Sequence, residues 1–120
     1  KSMIVVDVID DGEAISYDEC FAHHTDAEVI INTSPVGMFP KVDASPVDLT
    51  KFPKCEAVLD VVYNPLTTKF VAQAKELGMI GVNGLEMLVA QAKYAVEIFL
   101  GTEIDDARIQ EIYEDVKELI

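Results

Sequence analysis

The fold is decided by residues 57–101, which read AVLDVVYNPLTTKFVAQAKELGMIGVNGLEMLVAQAKYAVEIFLG. The segment opens with an apolar run, turns at Asn64-Pro65, and continues as a helical pattern that stops at Gly78. A second apolar run, Met79–Val82, leads through Asn83-Gly84 into a long helical pattern. Strand, helix, strand and helix in this order predict parallel strands joined by helical crossovers.

Two more apolar runs precede this segment, at Ile4–Val8 and Val29–Asn32, and the first run of the segment itself spans Ala57–Val62. The runs are rich in Val and Ile and continuous rather than alternating, which is typical of strands covered on both faces. The pattern therefore predicts an α/β fold: a partial doubly wound, Rossmann-like parallel sheet with flanking helices.

Helical patterns fill the intervals between these runs. A short helix is predicted over residues 16–24 or 18–24, and a last helix over about 106–119. Thr68 is the predicted N-cap of the helix that ends at Gly78, because its hydroxyl can accept a free first-turn N–H. The residues expected to face inward are Cys20 and Phe21 in the first helix, Phe70, Val71, Ala74 and Leu77 in the second, and Ile109, Ile112, Tyr113, Val116 and Leu119 in the last.

The long helix after Gly84 is apolar around most of its circumference. At about 100° per residue it has two apolar faces side by side and one narrow polar stripe. We expect such a helix to be buried against its own sheet and against another surface across a cleft. The three sets are Leu85, Leu88, Ala92, Ala95, Val96 and Phe99; then Met87, Gln91, Tyr94 and Ile98; and finally the polar Glu86, Lys93 and Glu97.

The charge balance excludes two classes of partner. The 120 residues include 9 Lys plus Arg against 22 Asp plus Glu, a formal net charge of −13. Such a charge repels phosphate backbones and anionic lipid, so we expect no nucleic acid and no membrane among the partners. No apolar run approaches the roughly 20 residues that a membrane span needs.

The cysteines and histidines lack the spacing of a metal site. Cys20 and Cys55 are unpaired in sequence, and no third ligand accompanies His23 and His24. We therefore expect no bound metal and a reducing, cytoplasmic location. The chain begins with Lys1 and an apolar run follows almost at once, so we expect a fragment of a longer protein.

Sheets of this kind bind ligands outside the carboxyl ends of their strands. The residues predicted there are Asn32–Ser34, Tyr63–Pro65 and Asn83-Gly84, and we expect them to line one crevice. Gln91 lies seven residues after Gly84 and four after Met87. The helical period therefore places these three residues on one flank of the long helix.

Three motifs at these strand ends resemble those of shikimate dehydrogenases. They are Asn32–Met38 (NTSPVGM), Asp60–Pro65 (DVVYNP) with Thr68 close behind, and Gly84–Gln91 (GLEMLVAQ). The resemblance covers residues 26–119, and the three motifs keep the family's order and spacing. It implies the C-terminal part of the nucleotide-binding domain of an enzyme that reduces 3-dehydroshikimate to shikimate with NADPH.

The resemblance also implies a role for each motif. The backbone around Thr33 and Ser34 would pass under the cofactor, and Val61 would present main chain to the nicotinamide. Gly84 would let the backbone approach that ring. The implied cofactor-binding residues are Thr33, Ser34, Val61, Gly84 and Met87, and the implied substrate-binding residues are Tyr63 and Gln91.

Ordinary structural interpretations of the same residues stay open. Gln91 can be a buried amide that satisfies a backbone group, Tyr63 a strand-end aromatic, and Met87 core filler. The chain also departs from the family, with Glu86 where Gly is usual and Lys69 where Pro is common. We expect no functional consequence from Glu86, which falls on the polar stripe.

Several parts of a complete enzyme are absent from the sequence. No G-x-G-x-x-G stands between a strand and a helix, so the pyrophosphate cradle is missing. The basic residue for a 2′-phosphate is also missing, as is the substrate domain with the family's catalytic Lys and Asp. Residues 1–120 are therefore interpreted as an incomplete NAD(P)-binding domain that has no catalytic residue and is inactive alone.

Three rival functions remain. An NAD-dependent quinate/shikimate dehydrogenase would share these motifs, and the chain can also be the end of a bifunctional dehydratase/dehydrogenase. The third rival is an acidic, non-catalytic interaction module on the same fold. Because the strand at 29–33 lacks its usual neighbour, we also expect the fragment to dimerise through it.

Overall fold

The computed structural model describes residues 3–6 and 14–119. In this part of the chain, three parallel strands form one sheet in the order β1-β2-β3. The strands are β1 (Val29–Asn32), β2 (Ala57–Asp60) and β3 (Ile80–Val82). The helices are α1 (Tyr17–His23), α2 (Lys69–Glu76), α3 (Gly84–Leu100) and α4 (Ala107–Lys117), with a short 3-10 helix at Leu49–Lys51. The predicted α/β, Rossmann-like fold class is confirmed.

Two predicted strands are shorter in the structure. β2 ends at Asp60, because the N–H of Val62, two residues further on, bonds to the Asp60 side chain. β3 begins at Ile80, because the N–H of Met79 closes the end of α2 by bonding to the carbonyl oxygen of Ala74 at 2.8 Å.

The predicted first strand, Ile4–Val8, is only partly covered by the structure. Within the described residues, Val6 forms an isolated parallel bridge with Ile15. Val8 lies outside the described residues, so the strand itself stays a prediction.

The helix ends lie where local side-chain chemistry places them. Ser16, Thr68 and Asn83 cap α1, α2 and α3, each accepting an N–H from the first turn. Gly78 and Gly101 follow α2 and α3 with φ angles of +79° and +65°, the left-handed conformation that glycine adopts at no steric cost.

The hydrophobic core lies on one face of the sheet only. Ile30, Val58 and Gly81 stand side by side in register on that face, and α2 packs against β2 and β3. On the opposite face Val29, Ile31 and Ile80 are 58%, 53% and 67% exposed. The prediction of strands covered on both faces is therefore wrong for the described residues. The buried cluster consists of Cys20, Leu49, Phe52, Cys55, Val58, Phe70 and Ala74.

Helix α3 buries a different stripe from the predicted one. Leu85, Val89 and Lys93 are buried, whereas Leu88 and Phe99 are 41% and 90% exposed. The reason is that α3 packs against α4, which supplies Asp106 as a partner for the buried ammonium of Lys93. The predicted polar stripe is thus correct for the exposed Glu86 but wrong for Lys93.

Smaller differences concern two leucines. Leu77 is the C-cap of α2 and is 45% exposed, so it does not face inward. Leu119 lies beyond the end of α4 and is 85% exposed. The other residues predicted for the inner face of α4, namely Ile109, Ile112, Tyr113 and Val116, are half-buried.

Candidate functional site

A buried hydrogen bond joins the first motif to the second at the carboxyl end of the sheet. Asn32 and Asp60 are register partners on β1 and β2, and the Asn32 Nδ2 donates to Asp60 Oδ1 at 3.1 Å. The same nitrogen donates to the carbonyl oxygen of Val36 at 3.1 Å. Both side chains are buried, and Asp60 is completely so.

The Asn32 side chain also shapes the turn after β1. Its Oδ1 accepts the N–H of Ser34 at 3.1 Å and the hydroxyl of Ser34 at 2.6 Å. The Ser34 oxygen in turn accepts the N–H of Val36 at 3.3 Å. Thr33, at the tip, is exposed, and Ser34 is half-buried. The turn that is predicted to lie under the cofactor is therefore held by the buried side chain of Asn32, which belongs to the same motif.

Asp60 connects this network to the start of α2. Its Oδ2 accepts the hydroxyl of Thr68 at 2.8 Å, and its Oδ1 also accepts the N–H of Val62 at 3.0 Å. The Thr68 oxygen accepts the N–H of Val71 at 3.3 Å and so caps α2. The Asp60 carboxylate thus accepts three hydrogen bonds from three different segments.

Gly84 joins the third motif to the second. A Cβ atom on Gly84 would lie 2.1 Å from the carbonyl oxygen of Val61 and 2.8 Å from the carbonyl carbon of Val62. The N–H of Gly84 donates to the carbonyl oxygen of Val62 at 3.1 Å. The resemblance explained Gly84 by the approach of a cofactor ring, but the chain's own backbone occupies that space. The start of α3 therefore requires glycine for packing, and a cofactor contact at Gly84 stays a prediction.

The side chains predicted to meet the ligands are open to solvent. Tyr63 is 45% and Met87 40% exposed, and Gln91 is exposed as well. The buried-amide interpretation of Gln91 and the core-filler interpretation of Met87 therefore do not hold. At about 100° per residue, Gln91 lies only about 20° from Gly84 around α3, on the flank that faces the end of β2.

The strand-end turns present polar and apolar side chains to solvent but no exposed carboxylate. The Tyr63 hydroxyl and the Gln91 amide can hydrogen-bond a carboxylate or hydroxyl group, and the Tyr63 ring and Met87 provide apolar surface. Asp60 is enclosed and already accepts three hydrogen bonds. The Asp60 carboxylate is therefore not accessible for proton exchange with a ligand.

Polar contacts help to hold α4 against α3. The Asn83 Nδ2 donates to the Tyr113 hydroxyl at 2.9 Å, next to the site. Further along, the ammonium of Lys93, whose side chain is 3% exposed, pairs with Asp106 and with Glu97 at 3.1 Å. The sequence also predicts that the acidic pair Asp105-Asp106 favours the positive end of α4. The Asp105 Oδ1 accepts the N–H of Ala107 at 2.9 Å there, whereas the Asp106 side chain makes no capping bond and pairs with Lys93.

The charges of this ion cluster shift one another's titration. The hydrogen bond to Asp106 raises the pKa of Lys93, and the same bond lowers the pKa of Asp106. The pKa of Glu97 is lowered, first by the N–H of Ile104 and then by Lys93. All three groups are therefore held in their charged forms.

Among residues 3–6 and 14–119, neither a metal-ligand cluster nor a membrane-spanning helix is found. No cluster of three or more His, Cys, Asp or Glu residues in these ranges could hold a metal ion. None of their helices combines the length and the apolar character that crossing a bilayer requires.

The chain is similar to known shikimate dehydrogenases. It is 42% identical over 88 residues to a shikimate dehydrogenase (NADP(+)) of Clostridium perfringens, a match that covers 73% of this chain and 32% of that protein. The crystal structure of a chorismate mutase/shikimate 5-dehydrogenase fusion protein from Clostridium acetobutylicum superposes with a TM-score of 0.79 at 42% identity. That superposition covers 90% of this chain and 39% of the fusion protein. The chain belongs to the shikimate dehydrogenase family.

A third relative has its ligands in place. The shikimate 5-dehydrogenase of Thermus thermophilus, solved in complex with NADP(H) and shikimate, superposes with a TM-score of 0.69 at 28% identity. The superposition covers 85% of this chain and 38% of the Thermus thermophilus chain. No protein-family model matches the chain. The chain spans about a third of the length of the shikimate dehydrogenases that it resembles.

The two departures from the shikimate dehydrogenase motifs lie on the surface. Glu86 is exposed in the first turn of α3. Lys69 forms an ion pair with Asp43 at 3.1 Å, and both side chains are exposed. Neither residue joins the Asn32–Asp60–Thr68 network.

Sequence reasoning missed Asp60 and underrated Thr68 and Asn32. All three lie within or beside the motifs, but the sequence predicted only that Asn32 lines the crevice and that Thr68 caps a helix, and it predicted no role for Asp60. A signal was present, because Asp60 interrupts an otherwise apolar run. A carboxylate inside a buried strand needs several hydrogen-bond donors. Asn32 at the end of β1 and Thr68 at the start of α2 are two polar residues that could supply them.

Proposed function

We propose that the full-length protein that contains this chain is an NADP-dependent shikimate dehydrogenase, which reduces 3-dehydroshikimate to shikimate with NADPH for aromatic amino acid biosynthesis. One observation carries the proposal, namely that all three motifs meet at one edge of the sheet. The Asn32–Asp60 hydrogen bond joins the first motif to the second, and the Gly84–Val61 contact joins the third to the second. The sequence identity of 42% to a named relative supports it.

Within that enzyme, residues 1–120 form an incomplete NAD(P)-binding domain. They supply the nicotinamide side of the cofactor site and the far wall of the substrate site. The Gly-rich loop, the substrate domain and the family's catalytic Lys and Asp come from other parts of the full-length protein. The chain by itself is therefore inactive.

The residues of this chain bind and orient the reactants. NADPH, when bound, supplies the hydride that converts the keto carbon into an alkoxide, and a proton donor then completes the hydroxyl group. The turn at Thr33 and Ser34, the main chain at Val61 and the start of α3 at Gly84 hold the cofactor. Met87 packs on it and keeps water from the ring. The Tyr63 hydroxyl and the Gln91 amide hold the substrate's carboxylate or hydroxyls, so that the reacting atoms stay aligned.

The activity is tested on the full-length gene product. We expect reduction of NADP when shikimate is supplied, with a lower rate for NAD and for quinate. An NAD-preferring enzyme that accepts quinate would replace the proposal by the first rival. A dehydratase activity in the same polypeptide would support the bifunctional enzyme. If the protein bound neither NADP nor NAD, the non-catalytic interaction module would be the supported function.

The substrate residues are tested by Gln91→Ala and Tyr63→Phe in the same protein. We expect each variant to lose about 1.5–3 kcal/mol of transition-state interaction, read as a fall in kcat/KM for shikimate. The matched controls are Gln110→Ala and Tyr94→Phe, which remove exposed groups of the same kind on α4 and α3. Unchanged kinetics for both site variants would reject the assignment.

The remaining parts of the proposal concern location and association. Both cysteines are buried free thiols, which fits a cytoplasmic protein in a reducing compartment. The small-molecule partners are shikimate and 3-dehydroshikimate. The 120-residue chain on its own dimerises through the strand at 29–33, because within the described residues β1 is paired on one side only.

A further inference from the structure

Asp60 takes no part in the proposed chemistry, yet three segments of the site are bonded to its carboxylate. The donors are Asn32 at the end of β1, Val62 at the end of β2, and Thr68 at the start of α2. The side chain is fully buried. A buried carboxylate costs free energy unless donors surround it, and here the donors are the elements that carry the site.

The chemistry of a carboxylate determines which way the Asn32 amide points. A carboxylate only accepts hydrogen bonds, so the amide must turn its nitrogen toward Asp60. The amide oxygen then faces Ser34, where it accepts both the N–H and the hydroxyl. If the amide were rotated by half a turn, its nitrogen would face the Ser34 N–H and that bond would be lost.

Thr68 keeps Asp60 from rotating. Its hydroxyl donates to Oδ2 at 2.8 Å, while Oδ1 is shared by Asn32 and Val62. Both carboxylate oxygens therefore already accept hydrogen bonds. A chain of contacts consequently runs from the N-terminus of α2, through Asp60 and Asn32, to the turn at Thr33 and Ser34.

We propose that Asp60 is a positioning residue for cofactor binding, which orients the Asn32 amide and thereby sets the conformation of the Thr33–Ser34 turn. The inference rests on the proposed function, since the turn is taken to lie under NADPH. Asp60 itself touches neither the cofactor nor the substrate. Its removal therefore weakens cofactor binding selectively, while contacts to the substrate through Tyr63 and Gln91 persist.

The test uses Asp60→Asn in the full-length protein. The new amide has the same shape but only one acceptor oxygen, whereas Asn32, Val62 and Thr68 all donate to Asp60. At least one of these donors therefore loses its acceptor, and the Asn32 amide is held less firmly. We expect KM for NADPH and the Kd for NADPH from its fluorescence to rise about tenfold, which is the loss of one well-made hydrogen bond. We expect KM for 3-dehydroshikimate, and kcat at saturating NADPH, to stay within about twofold of the wild type.

A second pair of variants keeps the test decisive if Asp60→Asn does not fold. Thr68→Val keeps the side-chain shape but frees Asp60 Oδ2, and we expect KM for NADPH to rise about threefold. Thr68→Ser retains the hydroxyl and is the matched control, with KM for NADPH within about twofold of the wild type.

The outcomes separate the inference from the proposed function. If the wild type is active and the variants only lower the melting temperature while KM for NADPH is unchanged, Asp60 is purely structural and the inference is wrong. Equal increases in both KM values would also overturn it. A wild-type protein without NADPH-dependent activity would overturn the proposed function and, with it, the inference.

Discussion

At the scale of single residues, Gly84 shows how one position satisfies two demands. The end of β2 and the start of α3 approach so closely that a Cβ atom on Gly84 would lie 2.1 Å from the carbonyl oxygen of Val61. No neighbouring side chain can relieve this contact, because the opposing atoms are backbone. The glycine is therefore needed for the fold whether or not a cofactor is bound.

We expect Gly84→Ala to lower the free energy of unfolding by about 1–3 kcal/mol, because the added methyl group forces the two backbone segments apart. Urea unfolding of the purified protein measures the change. The comparison is Gly81→Ala, whose Cβ would lie 3.0 Å from the Val71 Cγ1 atom and 3.3 Å from the Val71 carbonyl oxygen, so we expect a smaller loss there. A Gly84→Ala variant as stable as the wild type would contradict the observed contact.

At the scale of elements, α3 has an inner stripe that changes character along its length. Leu85 and Val89 are buried near the start of the helix, and Lys93 is buried one turn further. The ammonium is accommodated there because Glu97 and Asp106 both face it. The stripe thus combines apolar packing near the site with an ion cluster at the junction to α4.

The ion cluster makes the stability of the α3–α4 junction depend on pH. The lowered pKa values of Asp106 and Glu97 contribute stability above their unfolded values, about 4, and this is lost as the pH falls through the folded values. The raised pKa of Lys93 contributes stability below its unfolded value, about 10.4, and this is lost as the pH rises through the folded value.

We therefore expect Lys93→Met to lower the melting temperature by a constant amount between about pH 5 and pH 9, and by less below about pH 4. Thermal unfolding across this range, followed by circular dichroism, measures the difference from the wild type. Lys117→Met is the control, because it removes an exposed ion pair with Glu114 that contributes little. A pH-independent difference would show that only packing was lost.

At the scale of the whole molecule, the described chain forms a sheet with one covered and one open face. Val29, Ile31 and Ile80 stand on the open face, and β1 is an edge strand among the described residues. Exposed edges with apolar side chains pair with other chains. The edge strand β1 is what the proposed dimer of the 120-residue chain would use.

We expect the 120-residue chain to sediment as a dimer and Ile31→Lys to sediment as a monomer, because a charge on an edge strand opposes pairing. Ile80→Lys is the matched control. It places the same charge on the same face but on β3, at the opposite edge of the sheet, so it should remain dimeric. A wild-type chain that stays monomeric at high concentration would exclude the dimer.

The sequence by itself determined the order of the elements, the ends of the helices α2 and α3, and the family. Thr68 and Asn83 cap their helices through contacts three residues away, and Gly78 and Gly101 take the left-handed conformation. These features depend on neighbours along the chain, so they can be predicted from short spacings. The three motifs likewise carry the family resemblance without knowledge of the packing.

Only the tertiary structure decided which groups share an environment. The Asn32–Asp60 bond spans 28 residues, the Lys93–Asp106 pair joins two helices, and the Gly84–Val61 contact joins a helix to a strand end. Helical periodicity treated Lys93 as part of a solvated stripe, because periodicity records polarity and not the partner that compensates a buried charge. Burial, compensation and close approach depend on how separate elements pack, and no local pattern in the sequence contains that information.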